Sequence, residues 1–314
     1  MKESLTSLRL AGASGDVSRY RISLEPGHRI IVVQACLGVL LRLDDDKHTA
    51  EDSIPLAQYT SRHWVDHAQF ENVSSHVCKA MEHLFNPDKP HFLTWLRLHD
   101  IDTEPRHSVL YQFAPWPSER SSASRLYYAA LCGLYDLTKH LVVKHLQDVN
   151  IRGGYYMTPL VAALAGKHFH VAELLYQHGG IVDPRGFWEK TPLHAISQEG
   201  DLEIMKWLLS HGADTVLKSQ TGQTALYWAA WGGQVEEAKM LLQHNADPNT
   251  QEDEGKTPLH LASELGHTNI ARLLLAHGAD VTARGKSGST LLHLVSHRYR
   301  SVVARPRCGC ERAR

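Results

Sequence analysis

Between Thr191 and Gly212 the apolar residues fall into two short runs at helical spacing. Leu193, Ala195 and Ile196 line one face of the first run, and Gly200 closes it. Leu202, Met205, Leu208 and Leu209 line the second, which ends at Gly212. Thr191-Pro192 suits a helix opening, where the N–H that proline lacks has no partner and φ is already set. The stretch from Lys218 to Gln223 is polar and contains glycine, as an extended turn requires. The pattern predicts turn, helix, short connection, helix.

The same pattern returns every 33 residues. Thr158-Pro159-Leu160, Thr191-Pro192-Leu193, Thr224-Ala225-Leu226, Thr257-Pro258-Leu259 and Thr290-Leu291-Leu292 mark one point of it. His178-Gly179, His211-Gly212, His244-Asn245 and His277-Gly278 mark another at the same period. Units therefore start near 121, 152, 185, 218, 251 and 284, the last one partial. A single unit cannot bury its apolar face, so neighbours must stack into an all-α array.

The Thr-Pro-Leu-His phrase at 191–194 and 257–260, the Gly-Ala-Asp phrase at 212–214 and 278–280, and the 33-residue step resemble the ankyrin repeat over residues 121–297. The first copy lacks Thr-Pro, which suits an N-terminal cap, and the second carries Gly153-Gly154-Tyr155-Tyr156 in its turn. The resemblance implies a solenoid of about five and a half units, with a concave face built from turn tips and first helices that binds another protein. In this register the tips carry Tyr155, Phe187, Trp188, Lys190, Gln220, Gln223, Asp253, Glu254 and Lys256. The first helices add Gln198, Glu199, Trp231, Glu264 and Leu265. Phe187, Trp188 and Trp231 have the chemistry of interface anchors, unless the rings pack between neighbouring tips. Tyr227 and Trp228 lie inside the helix phrase and are expected in the core. Asp253, Glu254 and Glu264 make the later units locally acidic, a match for a basic patch if they are more than a solvated face.

Residues 1–115 lack the period. Their apolar spacing predicts helices over 28–42, 54–70, 74–85 and 90–99, followed by a proline- and serine-containing linker over 101–120. Lys2-Glu-Ser-Leu-Thr-Ser-Leu-Arg-Leu-Ala11, Gln34-Ala-Cys-Leu-Gly-Val-Leu-Leu41, His63-Trp-Val-Asp-His-Ala-Gln-Phe70 and Asn86-Pro-Asp-Lys-Pro-His-Phe92 resemble the segment after the NTPase module of fungal NACHT–ankyrin proteins of the STAND class. That implies a helical module over 1–100, with the repeats as a sensor arm acting in trans with such an NTPase. The quoted residues cover none of the nucleotide-binding module, so NTPase activity is not implied. Pro306 interrupts the sixth unit, and 298–314 is expected to be a basic, disordered tail.

Composition removes several function classes. With 33 Lys+Arg against 34 Asp+Glu, the net charge of −1 gives no bulk attraction for nucleic acid or anionic membranes. Ile30 to Leu43 is too short to span a bilayer and reads as a buried helix. Five sparse cysteines and no N-terminal apolar leader point to a reducing compartment, the cytoplasm, with the nucleus open. A monomer without cofactor is expected.

The 22 histidines invite a metal hypothesis, and with it a metal-dependent enzyme using His63 and His67, four apart on a helix. Trp64 stands where a zinc hydrolase would carry its Glu, and no third ligand is in view. Cys308-x-Cys310 lacks a second pair. Gly255-Lys256-Thr257 and Gly285-Lys286-Ser287 lack the upstream glycine of a phosphate loop, having Thr250 and Asp280 there. His145, His178, His211, His244 and His277 share one repeat position at a helix end, where positive charge meets the helix dipole. His194, His260, His293 and His267 also fall at repeat positions. No metal or catalytic site is expected.

Overall fold

The apolar stretches near the N-terminus form four helices: α1 (Pro26–Leu40), α2 (Ile54–Ala68), α3 (Val73–Leu84) and α4 (Pro90–Leu98). The structure is a computed structural model that describes residues 26–41, 54–69, 73–86, 89–98 and 123–286. The expected linker and basic tail lie outside the described residues. The chain divides into two compact units, one of Met1–Ile101 with Leu134–Leu141, the other of Asp102–Gly133 with the chain from Val142 onward.

In the first unit α1 packs on α2 and α3, and α2 on α4. Trp64 and Trp95 are fully buried with ring centroids 6.1 Å apart, and Phe85 lies edge-on to Trp95 at 5.3 Å. Trp95 Nε1 donates to the Ser61 carbonyl at 3.3 Å, so one indole N–H of this aromatic core is satisfied. Cys36 is buried, and desolvation pushes its thiol up to about 11, which keeps it unreactive. His63 lies 3.7 Å from Asp66 and against the Tyr59 ring.

The second unit carries the period. With α6 (Tyr135–Val143) interposed, its helices are α5 (Arg125–Leu131), α7 (Pro159–Ala165), α8 (Phe169–Gln177), α9 (Pro192–Glu199), α10 (Leu202–Ser210), α11 (Ala225–Gly232), α12 (Val235–Gln243), α13 (Pro258–Leu265) and α14 (Thr268–Ala276). No strand occurs among the described residues. First helices stack on first helices, α5 on α7, α9 on α11 and α11 on α13, and second helices likewise, α10 on α12 and α12 on α14. At the α9–α11 step, a Cβ on Gly232 would collide with the Gln198 carbonyl, so glycine is what lets the two backbones meet.

The threonines open the helices as the sequence predicts. Thr158 and Thr224 accept from the N–H groups of Val161 and Tyr227, while Ser124 does the same for Tyr127 in the copy without Thr-Pro. The tips repeat as faithfully: Gly153, Gly186, Ser219 and Glu252 donate to the carbonyls of Met157, Lys190, Gln223 and Lys256 at 2.8–3.0 Å. One residue before the end of these tips the backbone is left-handed, at Gly222 (φ 76°) and Gly255 (φ 80°), but the third unit places Glu189 there (φ 55°). A side chain in that region costs about 1 kcal/mol. Glu189→Gly is therefore expected to raise the denaturation midpoint by up to about 1 kcal/mol, less the extra freedom glycine gives the unfolded chain. A lowered midpoint would show that the tip depends on the Glu189 side chain.

The histidines have two structural roles. His178, His211, His244 and His277 each place Nδ1 at 2.7–2.9 Å from the carbonyl four residues back. A carbonyl only accepts, so Nδ1 carries the proton and caps an otherwise unpartnered helix end. At His211, Nε2 also meets the Glu173 carboxylate at 2.8 Å, so this cap adds an ion pair to the helix-end bond. His194 and His260 are buried instead, and tie a first helix to the following tip. His194 Nδ1 accepts from Thr191 N–H at 3.0 Å and its hydroxyl at 2.8 Å, while Nε2 donates to the Leu217 and Gln223 carbonyls, both at 3.1 Å. His260 does the same with Thr257 and the Ala283 carbonyl.

Candidate partner-binding face

The register brings tip 186–190 of the third unit over helix α11 of the fourth. Trp188 has left-handed backbone (φ 59°, ψ 25°), which turns its ring outward until it is 50% exposed. Its carbonyl accepts from Gln220 N–H at 2.8 Å, linking this tip to the next one. Phe187 is half-buried and edge-on to Trp188 at 5.4 Å. Lys190 runs inward and sets its ammonium 3.4 Å from the centroid of the Trp228 ring. Trp231, one turn along α11 and 47% exposed, lies 5.7 Å from Trp228. Gln198 and Glu264 occupy the same repeat position as Trp231 in the units on either side.

Burial lowers the Lys190 ammonium to about 8, with Glu199 pulling the other way. The ring beneath it returns about 0.5–2 kcal/mol of cation–π attraction, which offsets part of the lost hydration. Two polar atoms, one on α11 and one on α9, are buried without partners: the donor Trp228 Nε1 and the acceptor Gln198 Oε1. One step along, the charge reverses. Lys256 is neutralised by Glu264 at 2.9 Å, and Asp253 and Glu254 are exposed. Burial pushes the Tyr227 phenol well up, and Glu252, Glu264 and Glu254 add to it, a sign of negative potential over this step.

The expected face is thus partly assembled and in one place wrong. Lys190 and Trp231 meet on the Trp228 ring, and Lys256 meets Glu264. Gln220 and Glu199 are exposed, and Gln223 and Leu265 half-buried. Tyr155 is not on the face: it is 4% exposed and packed edge-on to Tyr156 at 5.1 Å. Gly154, beside it, lies so close to the Tyr127 ring that a Cβ would strike it, and Tyr156 N–H donates to the Tyr127 hydroxyl. The double glycine lets this tip fold inward. Trp228, expected in the core, instead supplies the surface on which Lys190 rests. Its i, i+3 relation to Trp231 was the signal, since residues so spaced share a helix face.

A family model described as ankyrin repeats, in three copies, matches residues 126–219 and again 195–285, together just over half of the chain. The chain belongs to the ankyrin-repeat family. Ankyrin repeats generally mediate protein–protein interaction, and the fold described above is the all-α repeat architecture of that family. Comparison with curated proteins finds no match. Among the described residues, no helix of this ankyrin-repeat chain is long and apolar enough to cross a membrane.

Proposed function

We propose that the protein binds another protein through the concave face of its third to fifth ankyrin units, as a monomer and without chemistry of its own. The observation that carries this reading is the pair of exposed indoles, Trp188 and Trp231, flanking the half-buried Lys190. Exposed large aromatics cost solubility when nothing covers them and supply most of the energy when a partner does. The buried, free thiol of Cys36 suits the reducing cytoplasm.

The test is a pull-down with the wild type and with Phe187→Ala/Trp188→Ala/Trp231→Ala, both checked for helicity and melting temperature. Loss of hot-spot rings should weaken retained partners by about a hundredfold, roughly 2–4 kcal/mol. An unchanged partner set from a folded variant rejects the face. The NACHT–ankyrin resemblance of residues 1–100 supports a narrower version, a sensor arm acting in trans. Co-purification of a STAND-type NTPase that survives the triple substitution but not removal of residues 1–100 would favour it.

A further inference from the structure

Among the described residues, the cations around the third tip other than Lys190 are held by oxygen acceptors. Arg185 donates to the carbonyls of Glu189 and Lys218, Lys218 donates to the Gln251 carbonyl, and Lys256 is paired with Glu264. Lys190 has the Trp228 ring, and among the described residues no carboxylate pairs with it. It is half-buried, and its lowered pKa reflects the water it has lost. The Trp228 ring that carries it has an unsatisfied Nε1 donor, and Gln198, at the repeat position of Trp231 one unit earlier, has an unsatisfied Oε1 acceptor.

We infer that the step between the third and fourth units takes an aspartate or glutamate side chain of the partner, set next to an apolar residue, with Lys190 as the cation and the Trp188 and Trp231 indoles as walls. This rests on the concave-face reading above and names the partner's chemistry. A carboxylate meets a desolvated ammonium with a charge-assisted hydrogen bond, strongest where water is excluded. A peptide carrying that carboxylate also brings backbone N–H and C=O groups, the complements of Gln198 Oε1 and Trp228 Nε1. A free inorganic anion offers mainly acceptors and leaves Gln198 unsatisfied. A phosphate dianion fits worse, because its second charge would face Glu199, which is near enough to act on Lys190. A basic partner segment would face Lys190 directly and belongs, if anywhere, over Asp253 and Glu254.

The experiment pans a random phage-displayed heptapeptide library on the full chain, then measures the selected synthetic peptides by fluorescence anisotropy. The variants are Lys190→Met and Trp188→Ala/Trp231→Ala, each verified as folded by circular dichroism. The expected result is enrichment of Asp or Glu adjacent to an apolar residue. Lys190→Met should then weaken those peptides at least tenfold, and added salt should weaken the wild type more than the variant. Peptides without an acidic residue, or ones that need the indoles but not Lys190, overturn the carboxylate assignment and leave the concave face standing. Selected peptides indifferent to both variants, or none selected at all, overturn the face and the assignment together.

Discussion

His194→Ala is expected to destabilise the fold by about 3 kcal/mol at neutral pH. The ring is buried and makes four hydrogen bonds, two within its own helix opening and two to the following tip. Truncation leaves the Leu217 carbonyl and the Thr191 N–H without their partner, while the Gln223 carbonyl keeps the Ser219 N–H, and a buried unsatisfied group costs roughly 1–3 kcal/mol. Because these bonds join the third unit to the fourth, the loss should appear as weakened cooperativity between units as well as a lower midpoint.

The pH dependence follows from the same geometry. Nδ1 accepts and Nε2 donates, so the folded ring is neutral, and burial lowers its pKa to about 4. Unfolded histidine titrates near ~6.5. Above that value neither state is protonated, and the stability is fully present. As pH falls from about 6.5 towards 4, the unfolded chain takes up a proton that the folded ring refuses, and stability drops by about 1.4 kcal/mol per unit. Denaturation of wild type and His194→Ala between pH 7.5 and 4 should therefore give curves that converge on acidification. A difference independent of pH would mean that the folded ring titrates as the unfolded one does, and curves that diverge on acidification would mean that the folded ring is charged. Burial lowers His260 in the same direction, so the variant retains part of the acid slope.

The period was legible because two chemically distinct landmarks, threonine before a helix and histidine after one, hold it independently. The same argument placed Trp231 at a repeat position that holds Gln198 and Glu264 in the neighbouring copies and is most exposed at the indole. What the sequence could not supply were contacts between different parts of the period. Lys190 meets Trp228 across a tip and a helix of successive units, and helical spacing within α11 says only that Trp228 shares a face with Trp231. Tyr155 failed for the same reason. The rule that tips are exposed was sound, but Gly154 allowed this tip to close on Tyr127, one unit earlier. The N-terminal helices fell within two residues of their expected bounds, because their apolar spacing is local. Their packing around Trp64 and Trp95 is long-range, and no periodicity encodes it.

Asp183→Asn is expected to stabilise the protein at neutral pH by about 1–3 kcal/mol. Asn150 and Asn249 stand at the same repeat position and use both ends of the amide. Their Oδ1 atoms accept from Ile181 and Asp280 N–H at 2.8 and 2.7 Å, and their Nδ2 groups donate to the Gly179 and Gly278 carbonyls at 2.9 and 3.1 Å. Asp183 reproduces the first bond, accepting from Asp214 N–H at 2.9 Å. Its other oxygen is buried with no donor, at the place in the repeat where the asparagines carry their donating Nδ2. An amide there restores the missing donor and removes a partly buried charge. Burial raises the Asp183 pKa; the Asp214 N–H hydrogen bond and Arg185 pull against it, and the Asp214 charge adds to it. A carboxyl raised in the folded state contributes stability that is complete below its unfolded value, about 3.9, and is lost as pH rises through the folded one. The advantage of Asp183→Asn should accordingly be smallest near pH 4, where the protonated acid can itself donate, and widen towards pH 7. Urea titrations of both proteins across that range decide it. A variant no more stable than wild type at pH 7 would show that the second oxygen is already satisfied, and the asparagine pattern would then be irrelevant at this position.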